Sequence, residues 1–135
     1  MLGLLRAWAG ALFVLIAGIM IMVRLSPRVA PGASIPVVDQ ALRLHLPWLV
    51  TSAAMVAVAG ALHWRPATTP RRLLATLPVP ALAVVAGTAA GVSGATSALT
   101  ALLYLGEGVL GAALGLLVIG LFARRDETAA YPYPG

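Results

Sequence analysis

The sequence predicts an all-α integral membrane protein: a four-helix bundle with a short interfacial helix in its first loop. Three observations carry that prediction. First, 61% of the 135 residues are hydrophobic and only 10% are charged, and mean hydropathy is +0.98. A soluble domain carries roughly 25% charged residues, so a chain this poor in charge cannot build a water-facing surface. Second, the apolar residues gather in four runs near the roughly 20 residues that cross a hydrocarbon core. Third, the arginines stand at the ends of those runs, where they meet phospholipid headgroups.

The first span is Ala7 to Val23, bracketed by Arg6 and Arg24. Its 17 apolar residues exceed the usual signal-peptide core of about 7–15, and Arg24 follows directly, so an uncleaved anchor is expected. The second span is Leu46 to Trp64. Trp48 and Trp64 lie 16 residues apart, about 24 Å along a helix. That spacing predicts one indole anchor near each headgroup layer.

The third span is Leu73 to Val92, with Pro78 and Pro80 in its first turns, where missing backbone donors are tolerated. The fourth is Ala98 to Phe122, followed by Arg124 and Arg125. Residues 1–125 therefore form one membrane domain, and residues 126–135 a polar, disordered cytoplasmic tail.

The long first loop, Leu25 to His45, carries Pro27, Pro31, Gly32 and Pro36. Its second half reads as the interfacial helix. Ser34 is a cap, Pro36 fits the first turn, and Asp39 and Arg43 form an i,i+4 pair. The second loop, "RPATTPRR", is basic, and the third, "SGATS", suits a tight hairpin.

Four spans put both termini on one side. Six arginines (Arg6, Arg65, Arg71, Arg72, Arg124 and Arg125) then share that side, against Arg24, Arg28 and Arg43 on the other. The excess places both termini in the cytoplasm. Basic residues that are all arginine, with abundant Ala, Gly and Pro, point to a GC-rich bacterial genome and hence a bacterial plasma (inner) membrane.

Within lipid, helices associate through small residues that allow close approach. The third span offers Ala83, Gly87 and Gly91, the fourth Gly111 and Gly115, and the second Ala53, Ala57 and Ala61. These are the expected helix-packing positions.

One acid interrupts the fourth span. Glu107 shares a helix face with Gly111, Gly115, Tyr104 and Thr100, so the carboxylate points toward other helices. An intramembrane acid is a functional candidate because it is costly when ionised and unpaired. It either holds a proton or takes a cationic partner. Arg24, Arg28, Arg43 and His45 all belong to the same outer side, and the sequence does not choose among them. Glu107 with Tyr104 and Thr100 is thus a candidate proton or cation site, or a helix lock.

Several chemistries are disfavoured. The absence of cysteine removes disulfides, thiolate metal sites and cysteine nucleophiles. His45 and His63 lie 18 residues apart, about 27 Å along a helix, too far to ligate one iron, and read as interfacial rings beside the two tryptophans. Met20, Met22 and Met55 do not cluster with histidine, the serines lack a His–Asp pair, and a phosphate loop lacks its lysine. The expectation is a non-enzyme with no metal and no cofactor. Its partners are membrane lipids and either further copies of itself or a larger membrane complex, not nucleic acid.

The stretches "LLRAWAGALFVLIAGIMIM" and "YLGEGVLGAALGLLVIGLFARR" resemble the DoxX-like small four-helix membrane proteins. That resemblance covers about a third of the chain and implies a four-helix bundle. The chain departs from the group in placing its acid in the last span. It also differs from the small multidrug resistance exporters, which carry a membrane glutamate in the first span, where this chain has no acid. The sequence therefore favours an accessory or scaffold subunit of a membrane assembly, or a self-associating bundle. The alternatives are a proton-coupled transporter using Glu107, with Tyr104 lining its path, and a pore-former.

Overall fold

The structure is a computed structural model, and it describes residues 2–26, 36–63, 69–93 and 98–129. Among these residues the chain is helical, with no strand. Helix α1 spans Leu2–Leu25, α2 Val37–Gln40, α3 Leu46–Leu62, α4 Thr69–Thr76, α5 Pro78–Ser93 and α6 Ala98–Ala129. Three helical segments are long and apolar enough to cross a membrane: Leu2–Leu25, Val37–Leu62 and Ala98–Phe122.

The expected interfacial helix is not a separate element. A π turn, Ala41–His45, joins α2 to α3, so Val37–Leu62 is one continuous helix. Pro47 supplies the reason. It has no N–H for the Arg43 carbonyl, and its ring crowds that carbonyl in regular α geometry. The wider turn, in which the Leu46 N–H bonds to Ala41 O, carries the helix past this point. The Asp39–Arg43 pair forms as expected, at 3.5 Å on the surface. The residue preceding α2 is Pro36, without a side-chain cap; the proposed cap, Ser34, lies outside the described residues.

The expected third span, Leu73 to Val92, is divided at Leu77 into α4 and α5. Pro78 disfavours helical backbone at the residue before it. Helical hydrogen bonds nevertheless bridge the division, from Leu77 N to Leu73 O at 2.9 Å and from Ala81 N to Leu77 O at 2.8 Å. The two helices form a bent rod. Pro78 leaves the carbonyl of Leu74 without its i+4 donor, and Trp8 on α1 fills the role: its indole N–H donates to Leu74 O at 3.3 Å. Trp8→Phe is therefore expected to cost about 1 kcal/mol, measured as detergent unfolding. An unchanged midpoint would show that this carbonyl needs no donor.

Helix α6 continues to Ala129, so the expected tail is helical over 126–129. Residues 130–135 lie outside the described residues. Trp64 and the "SGATS" loop between Ser93 and Ala98 lie outside them too.

Helix α3 is central, packed extensively against both α6 and α1, and α5 lies on α6. The face of α3 that enters the core is Trp48, Thr51, Ser52, Met55, Val56, Ala59 and Gly60, a helical stripe at three- and four-residue steps. One edge of that stripe meets α1. A Cβ at Gly18 would fall 2.4 Å from Thr51 Cγ2, and one at Gly10 would fall 2.3 Å from Leu62 Cδ1. Numbers falling on α1 as they rise on α3 mean antiparallel helices.

The other edge meets α6. Gly111 opposes Ser52, Gly115 opposes Val56, and Ile119 opposes Gly60. The offset in number is constant along this seam, so α3 and α6 run parallel, and the bent α4–α5 rod returns the chain between them. Large apolar side chains such as Phe13, Ile16 and Met20 on α1, and Leu102, Val109, Leu117 and Leu121 on α6, lie exposed on the outside.

Candidate functional site

The α3/α6 seam is close-packed because its glycines have no side chain to hold the backbones apart. A Cβ on Gly111 would lie 2.6 Å from Leu49 O and 2.7 Å from Ser52 Cβ. On Gly115 it would lie 2.5 Å from Ala53 O and 2.8 Å from Val56 Cβ. The seam runs along Ser52, Val56 and Gly60, one residue around the helix from the predicted Ala53, Ala57 and Ala61 stripe; Ala61 is exposed.

On the other predicted stripe, Ala83 is buried. Gly87 admits the edge of the Trp48 ring, with Trp48 Cη2 3.5 Å from where its Cβ would be. The surroundings of Gly91 lie outside the described residues. Gly108, which the sequence reading did not single out, seats Val84 of α5 against α6.

Following the seam toward the start of both helices leads to Glu107, one turn before Gly111. On α3, His45 stands two turns before Ser52 and so on the same face. The two meet: His45 Nδ1 lies 2.7 Å from Glu107 Oε1, and each side chain is 20% exposed. Of the cations considered from sequence, the structure brings His45 to the acid. Arg43 is turned to Asp39, Arg24 is exposed, and Arg28 lies outside the described residues.

The pair is a close contact rather than a directional hydrogen bond. The distance is short, but Nδ1 lacks the alignment of a hydrogen-bond donor, and Glu107 Oε2 is enclosed with no hydrogen-bond partner. The Ser52 hydroxyl, at 0% exposure, is likewise enclosed without one.

Tyr104 completes the cluster. Its ring packs on His45 with centroids 5.3 Å apart and planes tilted by 31°, and its carbonyl accepts the Trp48 indole N–H at 3.1 Å. The sequence expects a headgroup anchor at Trp48; its indole N–H is taken instead by this protein carbonyl. Trp48 is 7% exposed, enclosed between α3, α5 and α6, because the indole N–H finds a protein acceptor where lipid offers none. Thr100 is half-buried one turn further toward the start of α6.

Trp64, the expected neighbour of His63, lies outside the described residues. His63 Nδ1 would lie 3.3 Å from a Cβ at Gly3 of α1, at the end of α3 remote from His45. The two histidines thus stand at opposite ends of α3, and His45 belongs to the contact with Glu107. A signal for it was present in the sequence: the core stripe of α3 extended backward by two turns from Ser52 ends on His45.

Beyond Ser52 the seam is closed by Val56, Gly60, Gly115 and Ile119. The described part of the seam is thus polar at one end and apolar at the other. Among the described residues no three metal-ligating side chains gather. Comparison with protein families, characterised proteins and solved structures finds no match to this chain.

Proposed function

We propose that this chain is a non-enzymatic multi-pass protein of the bacterial plasma membrane, with α1, α2–α3, α4–α5 and α6 as its four passes. It acts by packing helices, as an accessory or scaffold subunit of a membrane assembly or as a self-associating bundle. The parallel course of α3 and α6 supports the fourth pass, since the intervening rod must return across the bundle. The observation that carries the reading is the seam itself. Glu107 is engaged by His45, and past Ser52 the helices touch through glycine, valine and isoleucine, which offer no group to relay a proton.

The small-residue positions Gly111 and Gly115 are spent on this internal seam. A partner would meet instead the exposed apolar faces of α1 and α6, faces larger than a monomeric soluble protein leaves uncovered.

The second reading is a small proton-coupled transporter with Glu107 as the coupling carboxylate. The enclosed, unpartnered Oε2 favours it. Proteoliposomes holding a pH-sensitive dye separate the two readings. The packing role predicts proton leakage equal to that of protein-free vesicles, in the native chain and in Glu107→Gln alike. Flux that requires the native chain and is lost in Glu107→Gln would replace it with the transporter.

A further inference from the structure

The His45–Glu107 contact brings two electron-pair donors together without a hydrogen bond between them. His45 Nδ1 and Glu107 Oε1 lie 2.7 Å apart, but the oxygen stands off the line along which Nδ1 would donate. A nitrogen lone pair and a carboxylate oxygen this close repel unless they share a positive centre. A proton on Nδ1 would point past the oxygen, whereas a metal ion on the lone-pair axis would have the oxygen at its side, as a second ligand. From this geometry we propose that His45 Nδ1 and Glu107 form a binding site for a zinc-class divalent cation, which staples α3 to α6. The inference rests on the reading of the seam as a helix lock and names the ligand that completes it.

Three further features argue for it. His45 Nδ1 and Glu107 Oε2 are each enclosed with no hydrogen-bond partner, so a cation takes them without displacing a bond already made. The backbones that carry the pair are held in close approach one turn further on, where Gly111 meets Leu49 and Ser52, and the Tyr104 ring lies on His45 with centroids 5.3 Å apart. The ligands are therefore positioned before the ion arrives, as a metal site needs. Each side chain keeps 20% of its surface exposed, which leaves an open face for water ligands.

The donor set selects the ion. Magnesium and calcium prefer oxygen ligands throughout, and soft ions such as copper(I) favour sulfur, which neither His45 nor Glu107 supplies. One imidazole and one carboxylate suit a borderline ion, zinc above all. Zinc holds either ligand at about 2.0–2.2 Å, which places two tetrahedral ligands about 3.4 Å apart. The pair therefore opens by about 0.7 Å to admit the ion, a movement within reach of two partly exposed side chains. Among the described residues no three ligating side chains gather, so water fills the remaining positions.

Calorimetric titration of zinc chloride into the native chain, purified in dodecyl maltoside without a histidine tag, tests the site at neutral pH. The expected result is saturable uptake of one zinc per chain. Loss of an outer-shell partner already costs a metal site about 10–100-fold in affinity, so Glu107→Gln and His45→Gln should each weaken binding by at least about ten-fold. His63→Gln, at the other end of α3, and Asp39→Asn should leave it in place. Zinc K-edge absorption on the loaded native chain should find one imidazole nitrogen, with oxygen ligands, at about 2.0–2.2 Å.

A native chain that takes up no zinc would overturn the site, with no variant needed. So would an affinity that survives both ligand substitutions, or an absorption spectrum that shows two imidazoles or none. Both measurements use the isolated chain without any partner, so the site fails or stands separately from the accessory role, which is read by what the chain assembles with.

Discussion

Gly115→Leu is expected to destroy the α3/α6 seam. A single Cβ at this position already falls 2.5 Å from the backbone oxygen of Ala53 and 2.8 Å from Val56 Cβ. The first neighbour is main chain and cannot turn aside, so α3 must move as a whole. Even Gly115→Ala should cost about 1–3 kcal/mol, the range of overpacked cores, and the larger leucine should cost more. Gly111 makes the same approach to Leu49 O, at 2.6 Å, so Gly111→Ala should match it.

The neighbouring helix positions provide the contrast. Among the described residues, Gly106 and Gly120 have no neighbouring atom within 4 Å of a built Cβ. Alanine at either should stabilise the helix by about 0.5–1 kcal/mol, because glycine loses more backbone freedom on folding. Unfolding in mixed micelles measures all four. Equal effects at the four positions would show that the seam is not where the helices meet.

Trp48→Ala is the second large effect. This ring fills the space between α3, α5 and α6, and its loss should cost about 3–5 kcal/mol. Trp48→Phe keeps most of the ring but removes the donor to Tyr104 O, and should cost about 1–2 kcal/mol. The consequence reaches the site, since the Tyr104 carbonyl ties Trp48 to the turn that carries the His45-facing ring. If Trp48 were a headgroup anchor, phenylalanine and alanine would both be tolerated with little change in the unfolding midpoint, and that result would contradict the packing described.

Much of this architecture is written in local chemistry. Arg6 and Arg24 bracket the apolar run of α1, and the GxxxG pair at Gly111 and Gly115 marks the face that α6 buries. Because α-helices in an apolar setting must satisfy their own backbone, hydropathy alone locates them. Where proline intervenes, the sequence is less legible. Pro47 enters no sequence expectation, and Pro78 reads as compatible with a simple helix start. The first fuses the expected interfacial helix to α3 through a π turn, and the second bends the third rod.

The site was half legible. Glu107, Tyr104 and their shared face follow from helical spacing. The identity of the partner does not, because it depends on which helix α6 lies beside and in what register, and those are tertiary facts. Trp48 misled for a related reason. An indole has an apolar body and a polar tip, so it satisfies a headgroup layer and a buried carbonyl equally well. Only the neighbouring carbonyl of Tyr104 decides between them. The small stripe of α1, with Ala7, Ala11 and Gly18 buried, is hard to read from sequence because its intervals, four and then seven residues, form no regular repeat.

The proposed role as a packing subunit is tested most directly by the native mass and composition of the protein extracted gently from its own membrane. The expected result is a particle well above the 13.8 kDa of one chain, containing either a different polypeptide or further copies of this one. Recovery of the protein as a single chain, with no other polypeptide in the detergent particle, would contradict it.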